Sequence, residues 1–505
     1  MVPNNQNKTK SNPQKQASNL KIKHELMLIG GEWTESADGR FIEVQTPIQR
    51  GRVVGEIPRA GSKDVDRACK AAAAAFDSWR KTPPRERGFL MMKIADEIES
   101  RTEEIAKKIA TESGKAIRTE ARPEAKACAD IFRYFGGIAG ELKGETVPMG
   151  EHVLVYSRRE PLGVVGGIVP WNQPMATASV KVASALTAGN TMVLKPSVFT
   201  SLIGLELGRI CAKFLPPGVL NVVTGTGKEC GNLLARHPLI RHLSLTGSTQ
   251  SGRDVMTVCA ERIVPVTMEL GGKNPQIVFP DADEEQMAEG VIKTARFTLQ
   301  GQSCASGTRV YLHEDIYESF LKKLVDVTKR YKIGDPLDES NDIGTVISQE
   351  QFEKTCSYIK DGISQPGVRV ATGGMPPEKG PLAKGYYVLP TILANVQHEW
   401  RLAREEIFGP VLVVIPWRDE DDVIRKANDS IYGLSGFVWT HNIGKAIRTA
   451  HAIESGFINI NQWGGTQAGQ TFGGYKLSGV GKEFSLESML DCLTNRKLVN
   501  INLKL

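Results

Sequence analysis

Residues 163–270 alternate short apolar strands, at 164–169, 191–194, 220–223, 242–245 and 264–268, with helical stretches of roughly ten to fifteen residues. That alternation leaves a chain few choices. Strands joined through helices run parallel, so the segment predicts an α/β domain with a parallel, helix-covered sheet of Rossmann-like type. Such sheets bind ligands at the carboxyl ends of their strands. Here those ends carry Pro170-Trp171-Asn172, Lys195-Pro196-Ser197, Thr224-Gly225-Thr226-Gly227 and Thr246-Gly247-Ser248-Thr249, all small, polar or turn-forming sequences.

Upstream, LMLIGGEW reads as a strand entering a Gly-Gly turn. A helix begins near Ser62, its expected N-cap, with Val65, Ala68, Ala72, Phe76 and Trp79 on one face. Further helices are expected over 85–112, ending before Gly114, and over about 120–141. Downstream, 273–477 reads as a second α/β segment with strands near 276–279, 308–311 and 411–415. Val499, Ile501 and Leu503 alternate with Asn500 and Asn502, the pattern of a half-buried strand, and 152–159 suits a projecting ribbon. At 505 residues the chain is too long for one core. It divides into a polar tail (1–25), a first α/β domain (26–149 and 161–270), a second (271–477) and a small β element (150–160 and 478–505). The apolar strands of that element are expected to pair between subunits in a homodimer or homotetramer.

The net charge of +6 invites a nucleic-acid partner, but residues 1–24 hold five lysines and no acidic residue. The rest of the chain therefore carries about +1 and offers no basic footprint for a polyanion. The tail has neither an apolar h-region nor an arginine, which argues against secretory and mitochondrial signals, and it reads as a disordered extension. No apolar run approaches the roughly eighteen residues that span a bilayer, so no membrane partner is expected. The eight cysteines lack CxxC spacing or a Cys/His cluster, which points to reduced thiols, a cytoplasmic location and no metal site.

One of these cysteines has chemical company. Cys304 lies in GQSCASGTR, and Glu269 lies thirty-five residues earlier in MELGGKN. A thiol can attack a carbonyl carbon, and a carboxylate can take a proton from the water that later releases the acyl group. Taken singly, each has a plainer reading: the cysteine as a small buried hydrophobe, the glutamate as a solvated carboxylate, and Asn172 as a turn residue. Seven motifs occur in one order: PWNQP (170–174), KPS (195–197), LTGST (245–249), MELGGK (268–273), GQSCASGTR (301–309), EEIFGPV (405–411) and FGGYKLSGVGKE (472–483). In order and spacing they closely resemble the aldehyde dehydrogenase superfamily, from about residue 26 to the C-terminus.

The resemblance implies NAD(P)-dependent oxidation of an aldehyde to a carboxylic acid. By it, Cys304 is the nucleophile, Asn172 and the Cys304 backbone N–H are donors to the oxyanion, and Glu269 is the base that hydrolyses a thioester. Lys181 either orients Glu269 or sits in a structural ion pair. The first α/β domain becomes the cofactor domain and the second the catalytic one. There is no strict GxGxxG, because Gly225-Thr226-Gly227 is followed by a glycine only at 231. Instead Gly247, Ser248 and Gly252 in GSTQSG resemble the turn and helix start that face the pyrophosphate. Lys195 resembles the residue that reaches the adenosine ribose, and Glu406 the carboxylate that holds the nicotinamide ribose, with Phe408 beside it. Ile168, Val169, Pro170, Trp171, Ser197, Val198, Gly225 and Leu270 complete the expected cofactor contacts.

Two departures matter. Many NAD-preferring relatives carry glutamate three residues after the KPS lysine, where this chain has Val198 and no compensating arginine. The cofactor reading therefore stays at NAD or NADP, with the balance towards NAD. Tunnel positions that are aromatic in many relatives are Gln173, Val180, Thr298 and Thr466 here; Thr177 and Ser303 add small polar groups, while Trp463 and Phe472 keep some aromatic surface. A bulky substrate, or one bearing a hydroxyl, amine or amide, is expected. Thr471 precedes Phe472 where proline is common, which leaves the path of that loop open. Two rival functions are a CoA-acylating dehydrogenase, disfavoured by Glu269, and a catalytically silent protein on this scaffold, disfavoured by the joint presence of Asn172, Glu269, Cys304 and Glu406.

Overall fold

A computed structural model describes residues 23–504. Residues 1–22 of the expected tail lie outside the described residues, and 23–25 are part of the fold. His24 bridges to Glu56, and the buried Glu25 pairs with Arg209.

The alternating segment forms the centre of an eight-stranded sheet. Five parallel strands lie in the order Leu220–Val222, Thr191–Lys195, Val164–Ile168, Ile240–Thr246, Val266–Glu269. Strand order reverses between Val164–Ile168 and Ile240–Thr246, and crevices at such reversals are where α/β sheets take ligands. The Met27–Ile29/Glu32–Thr34 hairpin closes one edge antiparallel, and Gly479–Val480 closes the other. A second sheet of seven strands is built around Asn274–Val278, Gly307–His313 and Val411–Trp417, parallel except for its edge strand Arg369–Thr372. Both are covered by helices, so each central strand is apolar on both faces.

Local chemistry explains where the helices differ from expectation. The first spans Ser62–Lys81, but its cap is Gly61, whose N–H bonds the Asp64 carboxylate. The stretch expected as one helix over 85–112 is two, Pro84–Ser100 and Thr102–Ser113, parted at Arg101. The Arg101 guanidinium bonds the buried Glu206 at 2.6 Å, a partner that no local pattern reveals. The next helix, Arg122–Gly137, is entered through a π-helical turn at Ile117–Ala121.

The C-terminal strand Thr494–Asn502 pairs antiparallel with Val153–Pro161, which pairs in turn with Thr146–Pro148. The expected half-burial is met only in part within one chain. Among the described residues Val499 is half-buried, while Ile501 is 37% and Leu503 53% exposed.

The Pro84–Ser100 and Arg122–Gly137 helices approach through glycine. A Cβ on Gly88 would stand 2.5 Å from the Gly136 carbonyl oxygen. Gly88→Val is expected to cost about 1–3 kcal/mol of stability through overpacking, read as a lowered thermal midpoint. An unchanged midpoint would mean that the two helices part easily at this point.

Candidate active site

Strand Val266–Glu269 ends the first sheet, and after only Leu270-Gly271-Gly272-Lys273 the strand Asn274–Val278 opens the second. The carboxyl edge of one sheet therefore abuts the amino edge of the other. Asn274, the first residue of the second sheet, ties the cysteine loop to that sheet. Its amide donates to the Cys304 carbonyl at 2.7 Å and to the Ser306 carbonyl at 2.8 Å, while its side-chain oxygen accepts from Ser435 N–H. The Cys304 loop enters through a 3₁₀ turn, Phe297–Leu299, bracketed by Arg296 and Gln300 in left-handed conformations. At Gly301, also left-handed, a Cβ would lie 2.1 Å from the Gly409 carbonyl oxygen, so only glycine fits.

Cys304, Glu269 and Asn172 line one cavity of about 480 Å³. Asn172 gives one amide hydrogen to the Gln302 carbonyl at 2.8 Å, which fixes the side chain beside the cysteine loop and leaves its second N–H to spare. Burial, with Glu406 and Glu269 nearby, pushes the Cys304 thiol up to about 12, opposed by the N–H groups of Ala305 and Cys304 itself. Glu269 is buried, and among the described residues neither carboxylate oxygen has a hydrogen-bond partner. Burial and the neighbouring Glu483 lift it well above the ordinary carboxylate range. A buried carboxylate without partners is costly to keep, and such groups cluster at functional sites.

Of the expected tunnel residues, Gln173, Thr177, Ser303, Thr466 and Phe472 line the cavity. Three do not. Val180 packs in the core on the inner side of the Pro174–Thr187 helix, and Trp463 packs against the second sheet with the Lys293 ammonium 4.5 Å from its ring. Thr298 turns its hydroxyl to Glu120 instead. The loop at Thr471 is pinned: its hydroxyl bonds Ser485, and Phe472 exchanges backbone hydrogen bonds with Glu483.

The expected cofactor residues gather at the carboxyl edge of the first sheet. Lys195 ends one strand, buried, and burial lowers its affinity for a proton. Val169 N–H bonds the Lys195 carbonyl, so the segment leading to Pro170 and Trp171 runs against it. Ser197 caps the turn at Val198–Thr200, and Ser248 caps the twelve-residue helix Thr249–Ala260. The helix packs so closely that a Cβ on Gly252 would meet Leu270 at 2.6 Å. Gly225 takes φ 151°, and Gly247 N–H bonds the Glu269 carbonyl at 3.0 Å. Among the described residues the buried Thr246 hydroxyl, in the cavity wall, has no hydrogen-bond partner. Glu406 accepts from Gly272 N–H at 3.0 Å, and Phe408 meets Trp171 edge-on at 5.2 Å. A buried ammonium and a helix start suit the hydroxyl and phosphate groups of a dinucleotide.

The aldehyde dehydrogenase family model matches residues 33–499. The chain belongs to the aldehyde dehydrogenase family. It is 38% identical to an NAD-dependent aldehyde dehydrogenase from Sinorhizobium meliloti, covering 96% of this chain and 95% of that one at a TM-score of 0.92. The NAD⁺ complex of the Bacillus cereus aldehyde dehydrogenase is 36% identical at 0.92, covering 95% and 97%. PnpE from Pseudomonas sp. WBC-3 is 36% identical at 0.92, covering 95% and 98%. Among the described residues, no helix of this aldehyde dehydrogenase is long and apolar enough to cross a membrane.

Two buried ion pairs flank the site. Lys181 does not hold Glu269, as one expectation had it. Its ammonium bonds Glu483 at 2.7 Å and Ser244 at 2.6 Å, because Glu483 from the C-terminal loop reaches it first. The second pair, Lys115 with Glu124, went unseen in the sequence. Glu124 accepts from the N–H groups of Met175 and Ala176, at the start of the helix that follows Asn172. Lys115 bonds Glu124 and also the Asn172 carbonyl at 2.9 Å. The pair thus grips Asn172 from behind. Glu124→Gln keeps an acceptor for the helix but leaves the Lys115 charge buried and unpaired. A loss of about 3–5 kcal/mol of stability is expected, with kcat lowered about tenfold or more in the enzyme that still folds and KM little changed. An unchanged kcat would show that Asn172 is placed without the pair.

Proposed function

We propose that the chain oxidises aldehydes to carboxylic acids through a thioester on Cys304, with NAD as the hydride acceptor. The observation that carries this reading is the cavity shared by Cys304, Asn172 and the partnerless Glu269. NAD is favoured because two of the similar proteins are seen as NAD complexes and a third is named NAD-dependent, while Val198 presents no cation to an extra phosphate.

Lys195, Ser248 and Glu406 would hold the dinucleotide, by an ammonium near the adenosine end, a helix start at the phosphates, and a carboxylate at the nicotinamide ribose. When bound, it supplies the site that accepts hydride. The chain's own residues do the rest. The Cys304 sulfur bonds to the aldehyde carbon, and the carbonyl oxygen takes up negative charge as its π bond opens. The free N–H of Asn172 and the Cys304 backbone N–H meet that charge, each such donor contributing about 2.7–4 kcal/mol to the transition state. Loss of hydride restores the carbonyl and leaves a thioester. Glu269 then takes a proton from water, the hydroxide adds to the thioester carbon, and the C–S bond breaks to release the acid and restore the thiolate.

Glu269 also separates this reading from a CoA-acylating one, where no water need be activated. Cys304→Ala is expected to abolish NADH formation. Glu269→Gln is expected to give one burst of NADH and then stall, with acyl enzyme detectable by mass spectrometry. Steady turnover by that variant, or acyl-CoA as wild-type product, would overturn the assignment.

The working forms of Cys304 and Glu269 are both ionised, and burial raises both above their ordinary values. Raised values delay ionisation, so activity is expected to go on climbing as pH rises above neutral. A flat or falling profile would contradict the ionisations assigned here.

A further inference from the structure

Another part of the cavity wall carries Glu120 and Arg296, and the mechanism uses neither. Two irregular elements build it. The π-helical turn Ile117–Ala121 presents Glu120, and π-turns recur at functional sites. The 3₁₀ turn before the cysteine loop presents Arg296, at φ 57° in a conformation that costs a branched or long residue and is usual for Gly or Asn. Thr298 from the same turn donates its hydroxyl to Glu120 and so orients the carboxylate.

Arg296 is poorly used by the protein. Among the described residues its Nε is buried without a partner, and its contact with Glu120 is 3.8 Å from Nη2 to Oε2, beyond hydrogen-bond reach. A guanidinium with spare donors, next to a carboxylate with spare lone pairs, complements a group that both accepts and donates. The two charges cancel. A second carboxylate would crowd Glu120, and an ammonium would crowd Arg296.

We propose that Arg296 and Glu120 bind the uncharged polar end of the substrate, so that this enzyme acts on aldehydes whose far end carries an amide or a hydroxyl. The proposal rests on the oxidation reading above and names the substrate class for the same cavity. Thr298 is then a positioning residue, acting through Glu120.

The test uses aldehydes of one chain length ending in methyl, hydroxymethyl, carboxamide, carboxylate or trimethylammonium. With wild-type full-length enzyme and NAD, the carboxamide and hydroxyl members are expected to exceed the methyl member in kcat/KM by about tenfold or more. Arg296→Leu is expected to collapse that ratio, and Arg296→Lys, which keeps the charge without the fork, to leave it intermediate. Preference for the methyl, carboxylate or ammonium member would overturn the proposal. Calorimetric titration of Cys304→Ala with the same series reads the subsite without chemistry. Tighter binding of the carboxamide, lost in Arg296→Leu/Cys304→Ala, supports it; equal affinities across the series overturn it. A chain that binds in this order yet oxidises no member would sink the oxidation reading alone.

Discussion

Four residues, Leu270 to Lys273, carry the chain from the last parallel strand of one sheet to the first strand of the other. So short a link cannot let the sheets drift apart. It forces the carboxyl edge of the first against the amino edge of the second, and a base on one edge must face a nucleophile on the other. The close approach dictates composition. A Cβ on Gly272 would stand 2.4 Å from the Cys304 carbonyl oxygen, and one on Gly271 would stand 2.5 Å from Glu406 Oε2. The two glycines therefore let the cysteine loop and a carboxylate of the cofactor edge press on the same stretch of backbone. Asn274, the residue after the link, gives its side-chain hydrogen bonds to the cysteine loop and to Ser435 of the second sheet.

How much of this was legible follows from how local each signal is. The parallel strands were, because burial on both faces writes itself as a continuous apolar run. Cys304 and Glu269 were singled out by seven motifs in one order, not by their own neighbours, and both line the same cavity. The flanking pairs were not. Lys115 reaches the Asn172 carbonyl across 57 residues, Thr298 reaches Glu120 across 178, and Lys181 reaches Glu483 across 302. No spacing within a motif encodes such contacts. The same blindness put Val180 and Thr298 in the tunnel: a sequence position does not say which way a side chain turns, on a helix buried nearly all round for Val180 or in a 3₁₀ turn for Thr298.

Three ion pairs now surround the cavity: Lys115 with Glu124, Lys181 with Glu483, and Arg296 with Glu120. They differ in tightness, and the difference sorts them. The first two are hydrogen-bonded and buried, so they act as fixed dipoles that hold backbone and loop. The third is loose and partly open to the cavity, so its donors stay available. Tight pairs position; a loose pair can exchange its partner for a ligand.

Glu269 is left over from this pairing, and its isolation is what makes it useful. An ordinary carboxylate is a weak base near neutral pH, because its pKa lies well below the working range. Desolvation and Glu483 raise Glu269, while Lys181 and Lys482 oppose them. Had Lys181 bonded Glu269 directly, the ammonium would have held the carboxylate ionised but poor at taking a proton from water. Lys181 bonds Glu483 instead, so it acts on Glu269 through charge alone and without a hydrogen bond. Of the two roles the sequence left open for Lys181, the ion pair is the one seen, and it leaves both Glu269 oxygens without a hydrogen-bond partner among the described residues.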